Sequence, residues 1–212
     1  SQLKNNKNIN KVGIHIHRKS QNTSEWNIKQ EIQDSINKEN LNTISFLNLG
    51  GGLPVKYRSH TTDVLPYIFS KIKETQEFLS QNNIKTYIEP GRFLAAPPIK
   101  LETTIMQQYD DKIIINTTIY QWALDTVLTG IKMLIEQESD EEKKEDDKEK
   151  AQYYLIKGNS PTRDDIFRYK VKLTKAQAKP GEKITFLNAG AYNYTTDFFG
   201  YNKINTEITD SF

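Results

Sequence analysis

Apolar residues in this chain keep two different rhythms, and the change comes near residue 92. In the first stretch, Val12 to Gln21 reads as a strand-like segment with polar residues at its end. Asn22-Thr23-Ser24-Glu25-Trp26 then supplies hydroxyls and an early acid suited to a helix start. Ile28, Ile32 and Ile36 follow at i, i+4, i+8, which predicts one buried helix face running to about Asn40. Asn42 to Leu49 reads as a buried strand ending in Gly50-Gly51-Gly52. A second helix is expected from Thr62-Asp63, with Pro66 in its first turn and Leu65, Ile68, Phe69, Ile72 and Leu79 turned inward. Gln81-Asn82-Asn83 stops it, and Ile84 to Ile88 forms a third strand. The order β-α-β-α-β predicts parallel strands with helices packed outside them.

Beyond Arg92 the period falls to two. Residues 99–107, 112–120, 152–156, 166–173 and 183–187 read as strands, separated by turn signals such as Tyr109-Asp110-Asp111 and Lys179-Pro180-Gly181-Glu182. An antiparallel β domain is expected over 99–212, after an α/β domain over 1–98. Glu136 to Lys150, EQESDEEKKEDDKEK, interrupts it. This mixed-charge run has no apolar face to bury and reads as a flexible, solvated insertion.

Composition adds limits. With 29 basic and 27 acidic side chains the net charge is +2, which gives no footprint for nucleic acid or membrane binding. Mean hydropathy is −0.70, and no apolar run approaches the ~20 residues needed to span a bilayer. Cysteine is absent, which excludes disulfides, thiolate metal sites and a cysteine nucleophile and fits a cytoplasmic protein.

The candidate chemistry sits where the three first strands end. His15 and His17, two apart on a strand, point to one side. Two histidines could begin a metal site, but no third ligand has matching spacing, so a ring-stacking or hydrogen-bonding role ranks above metal. Ser20 follows at the strand end. The glycine run after the second strand allows close backbone approach and suits a phosphate. Glu89-Pro90-Gly91-Arg92 closes the third strand. There a carboxylate could meet a cationic ring nitrogen, Gly91 offers an unhindered N–H, and Arg92 is a bidentate donor for phosphate oxygens. From His17 to Gly52 is 35 residues and from Gly52 to Glu89 is 37, about one β-α unit per step. Parallel barrels assemble active sites at such strand ends.

These segments resemble the pyridoxal-phosphate decarboxylases that act on basic amino acids, namely ornithine, diaminopimelate, arginine and carboxynorspermidine. They belong to the barrel class shared with alanine racemase. Gly13-Ile14-His15-Ile16-His17-Arg18-Lys19-Ser20-Gln21 is similar to the family's Gly-Leu-His-x-His-Ile-Gly-Ser-Gln strand. Gly50-Gly51-Gly52 and Glu89-Pro90-Gly91-Arg92 resemble its phosphate loop and its Glu-Pro-Gly-Arg. Asn188-Ala189-Gly190-Ala191-Tyr192 is similar to its C-terminal Asn-Ala-Gly-Ala-Tyr. The resemblance implies pyridoxal 5′-phosphate as cofactor, with His17 stacked on its ring and Glu89 at its pyridine nitrogen. Ser20, Gly51, Gly52, Pro90, Gly91, Arg92 and Tyr192 would lie around its phosphate. It implies the last three β-α units of a (β/α)8 barrel followed by an antiparallel β-barrel or sandwich domain. It also implies decarboxylation of a basic or diamino acid, in polyamine or lysine biosynthesis, by a homodimer with shared active sites.

Departures from the pattern matter equally. No lysine lies in the context of the family's Schiff-base lysine, so a missing N-terminal barrel segment is expected as a partner. The family's Gly-x-x-Cys-acid-x-x-Asp aligns with Gly158 to Asp165. Gly158 and Asp165 fit and make Asp165 a catalytic candidate, but Pro161 replaces the cysteine and Thr162 the acid. Thr117 stands where the ornithine enzymes carry a substrate-binding Asp. Those replacements support an alternative, a catalytically inactive homologue that regulates or binds a true decarboxylase.

Overall fold

A computed structural model describes residues 6–138, 151–194, 200 and 202–210. The chain divides into two compact units, one of residues 1–55 and 60–94, the other of 56–59 and 95–212.

The first unit holds three short parallel strands, β1 (Gly13–His15), β2 (Phe46–Asn48) and β3 (Lys85–Tyr87), in spatial order β1-β2-β3. Its helices are α1 (Ile28–Ser35), α2 (Lys38–Leu41), α3 (Leu65–Gln81) and the start of α4 (Gly91–Ala95). Ile28, Ile32, Leu47, Leu49, Ile68 and Leu79 form its core, with Ile14 and Ile16 packed against them. Residues 14 and 16 of the first strand segment thus face the helices, while His15 and His17 face the other way into solvent.

The expected single helix to Asn40 is two. Ile36 is extended, and the Asn37 side chain accepts the Asn40 N–H at 2.9 Å, starting α2 afresh. An asparagine that caps backbone competes with helix continuation. In α3, Pro66 does occupy the first turn. Phe69, expected inward, is exposed and meets only Phe93 edge-on among the described ring contacts, at 6.1 Å between centroids. Thr75 takes an inward position instead and returns its hydroxyl to the Lys71 carbonyl at 2.8 Å.

The second unit is a six-stranded sheet in the order β6-β9-β4-β5-β7-β8. Its strands are β4 (Leu101–Tyr109), β5 (Lys112–Ile115), β6 (Leu134–Ile135), β7 (Gln152–Lys157), β8 (Ile166–Leu173) and β9 (Lys183–Leu187). Leu101, Thr103 and Ile105 alternate inward on β4, and Ile113 and Ile115 do so on β5. All pairings are antiparallel except β5 with β7, which is parallel. The purely antiparallel expectation fails there because the chain between β5 and β7 is long enough for a crossover. Residues 116–120, expected to extend β5, instead turn into α5 (Ile119–Trp122), capped by the Thr118 hydroxyl, and then α6 (Leu124–Thr129).

The charged run is held at its start. Glu136 N–H donates to the Thr185 carbonyl at 2.9 Å, and the Gln137 side-chain amide accepts the Thr185 N–H at 2.9 Å and donates to its hydroxyl at 3.1 Å. Glu138 receives Arg168, a fully buried guanidinium that also donates to the Met133 carbonyl at 2.6 Å. Burial pulls the Arg168 pKa below the usual arginine value, with Glu138 working against that shift. Burial likewise lowers Lys132, and the nearby charge of Arg168 adds to it. Residues 139–150 of the run lie outside the described residues.

Candidate active site at the strand ends

In the first unit the parallel ladder runs past the formal strands and gathers their C-terminal ends. Ile16 N–H reaches Asn48 O at 2.8 Å, Leu49 N–H reaches Tyr87 O at 2.8 Å, and Glu89 N–H reaches Gly50 O at 2.7 Å. The register places His15 beside Asn48 and Asn48 beside Tyr87. Side chains two residues apart on a strand share a face, so His15, His17, Asn48 and Glu89 converge.

Glu89 is the centre of that group. One carboxylate oxygen accepts the Asn48 side-chain amide at 2.7 Å, and Asn48 in turn accepts the Gly50 N–H at 2.9 Å. The other oxygen lies 3.5 Å from His15 Nε2 and 4.0 Å from His17 Nδ1. The two imidazoles stand edge-on, 5.8 Å between centroids. Half of the Glu89 side chain remains open to solvent. Glu89, from two strands away, thus places a carboxylate oxygen within 4.8 Å of a ring nitrogen of each histidine, which strand spacing alone did not foresee.

Tight glycines make this convergence possible. Gly50 (φ 66°) would bring a Cβ within 2.6 Å of Ile16 O, and Gly51 would bring one within 2.6 Å of Glu89 O. Gly52 (φ 102°) accepts the Asn22 N–H at 2.8 Å, tying the second strand end to the loop after the first. Arg92, nearly buried at the start of α4, donates from Nε to Ser20 Oγ at 3.0 Å. Ser20 and Arg92 thus meet across 72 positions. Gly91 corrects one expectation, since its N–H is engaged with the Glu89 carbonyl at 2.8 Å and is not an unhindered donor. A Cβ on Gly91 would meet nothing within 4 Å, so open space lies beside that turn.

The remaining candidates belong to the second unit. Asp165 is fully buried. Its carboxylate accepts the Ile119 N–H at 2.9 Å and the Ser160 N–H at 3.0 Å. A Cβ on Gly158 would collide with that carboxylate, which explains the glycine. Both Asp165 oxygens are thus engaged, one by the turn that presents the exposed Pro161 and Thr162 and the other by the start of α5. Thr117 is buried, with its hydroxyl donated to Gln121 at 2.9 Å. Tyr192 is exposed, with positive φ, on a loop where a Cβ on Gly190 would collide with the Ala95 carbonyl.

Asn48 was not anticipated from sequence. Its signal was present: it is the one polar residue within the Phe46-Leu47-Asn48-Leu49 strand.

The residues present fit pyridoxal phosphate. A half-open carboxylate with one oxygen already fixed suits a cationic ring nitrogen, an imidazole beside it suits the ring face, and the Ser20–Arg92 pair beside open space at Gly91 suits a phosphate. Residues 1–96 match the family model described as pyridoxal-dependent decarboxylase, pyridoxal binding domain. No curated protein matches the chain. Among solved structures, a lysine/ornithine decarboxylase complexed with cadaverine from Vibrio vulnificus is 17% identical with a TM-score of 0.69, over 96% of this chain and 56% of its own. Carboxynorspermidine decarboxylase complexed with norspermidine from Campylobacter jejuni is 21% identical with a TM-score of 0.65, over 89% and 52%. SrLDC in complex with PLP and cadaverine is 16% identical with a TM-score of 0.67, over 91% and 50%. The chain spans about half the length of the solved structures it matches. Its mixed α/β fold is theirs, and residues 1–96 are similar to the pyridoxal-binding domain of the pyridoxal-dependent decarboxylases, a family whose cofactor is pyridoxal phosphate.

Proposed function

We propose that this chain forms part of a decarboxylase for a basic or diamino acid, and that it binds the cofactor without supplying its lysine. The observation that carries this is the Glu89 carboxylate fixed by Asn48 beside His17, inside the matched domain. When bound, pyridoxal phosphate supplies an electron sink for the pair released as CO₂ leaves. Glu89 holds the proton on the ring nitrogen. Asn48 keeps the carboxylate aimed, so that no reorganisation is needed when charge develops. His17 lies against the ring face, with Pro90 stiffening the backbone after Glu89. Ser20 and Arg92 bind the phosphate, with Gly51, Gly52 and Gly91 giving it room. Asp165 positions the turn at 158–165 through the Ser160 N–H.

The three parallel strands are read as the last β-α units of a barrel. Parallel strands are ordinarily covered on both faces, yet the face carrying His15 and Tyr87 is exposed and, among the described residues, β1 and β3 are edges. The missing barrel segment would cover them, and a homodimer with shared sites is the expected assembly. No helix among the described residues is long and apolar enough to cross a membrane.

The test is Glu89→Gln in the assembled decarboxylase containing this chain, followed by CO₂ release from lysine, ornithine, arginine and diaminopimelate. Turnover should fall about 100-fold or more while pyridoxal phosphate stays bound. An unchanged rate would remove the role given to Glu89. The second reading, an inactive regulatory homologue, is favoured by Pro161 and Thr162. It predicts no CO₂ release from the wild-type assembly with any of the four.

A further inference from the structure

The same strand ends carry the geometry of a second ligand. His15 Nε2, His17 Nδ1 and a Glu89 oxygen all lie within 4.8 Å of one another. Ligand atoms around a tetrahedral zinc ion with bonds near 2.0–2.1 Å sit roughly 3.4 Å apart. The His15–Glu89 separation is 3.5 Å and the His17–Glu89 separation 4.0 Å, so small side-chain rotations would close the set. Glu89 is already oriented by Asn48, and Asn48 by Gly50 N–H, the kind of outer hydrogen bonding that fixes metal-bound carboxylates. Two imidazoles and one carboxylate prefer zinc, nickel or copper to magnesium or calcium. All three side chains are half-exposed, which leaves room for water as a fourth ligand.

We propose that His15, His17 and Glu89 bind a divalent first-row transition ion when the cofactor ring is absent, and that ion and ring exclude each other. The exclusion rests on the function proposed above, because it uses Glu89 and His17 as ring contacts; the metal site itself does not. His15 is the discriminating residue, a ligand of the ion with no role assigned toward the ring.

Zinc chloride is titrated calorimetrically into the wild-type chain and into His15→Ala and His15→Asn. Pyridoxine 5′-phosphate, which lacks the aldehyde through which the cofactor itself chelates metals, serves as ring competitor, and its own binding is followed by fluorescence. One zinc per chain is expected, weakened about tenfold or more in both variants, while pyridoxine phosphate binding stays unchanged in them. Equal zinc affinity in wild type and both variants overturns the site. Zinc affinity that is undiminished with pyridoxine phosphate demonstrably bound overturns the exclusion. Zinc binding through His15 with no pyridoxine phosphate binding also overturns the exclusion and tells against the function reading, while supporting the metal site.

Discussion

Each unit places acidic side chains at the ends of its strands, and the two treat them in opposite ways. In the second unit Asp165 is fully buried, each oxygen holding a backbone N–H, and Glu138 is spent on the buried Arg168. In the first unit Glu89 has one oxygen fixed and the other facing two imidazoles, with half its side chain in solvent. The lesson concerns where hydrogen-bonding capacity is used up. A buried carboxylate must have all of it satisfied from within, because an unpaired charge in the interior is very costly. A half-exposed one keeps capacity for a ligand. The first kind builds a turn, and the second stays open to a ligand.

Stability measurements can break that comparison. The largest loss is expected for Asp165→Ala, which orphans the Ile119 and Ser160 amides in the interior, about 2–6 kcal/mol at 1–3 per unsatisfied group. A urea unfolding curve would show it as a large fall in midpoint. Glu138→Gln should follow at about 3 kcal/mol, since it leaves Arg168 buried without its counter-charge. Replacing both Glu138 and Arg168 by apolar residues should recover part of that loss in the same assay. Glu89→Gln should cost least, below about 0.5 kcal/mol, because the amide can still meet Asn48 and the site is open to water. If Glu89→Gln destabilised the chain as much as Asp165→Ala, Glu89 would be architecture too and its functional role would lose its footing.

The rhythm of apolar positions located the strands of both units well, since period two and period 3.6 report directly on which side of an element is dry. It failed where a local polar group overrode the pattern. Asn37 capped a new helix inside what Ile28, Ile32 and Ile36 marked as one, and Thr118 did the same where β5 was expected to run on. It failed again where burial depended on a neighbour, as at Phe69. At the site, the glycines and the Glu-Pro-Gly-Arg turn were readable as single motifs. Asn48 was not, because its importance comes only from lying beside His15 in β1 and Tyr87 in β3.

By itself, the sequence determined the short strands, their glycine-rich and proline-rich ends, the absence of cysteine chemistry and the motif set that points to pyridoxal phosphate. Those are local properties, fixed by backbone sterics and side-chain type. Only the tertiary structure decided that His15, His17, Asn48 and Glu89 share one point, that Asp165 is sealed inside a turn, and that β5 and β7 run parallel. Each of these depends on strand register and direction. A slip of one residue would turn His15 and His17 to the opposite face and leave Glu89 with neither.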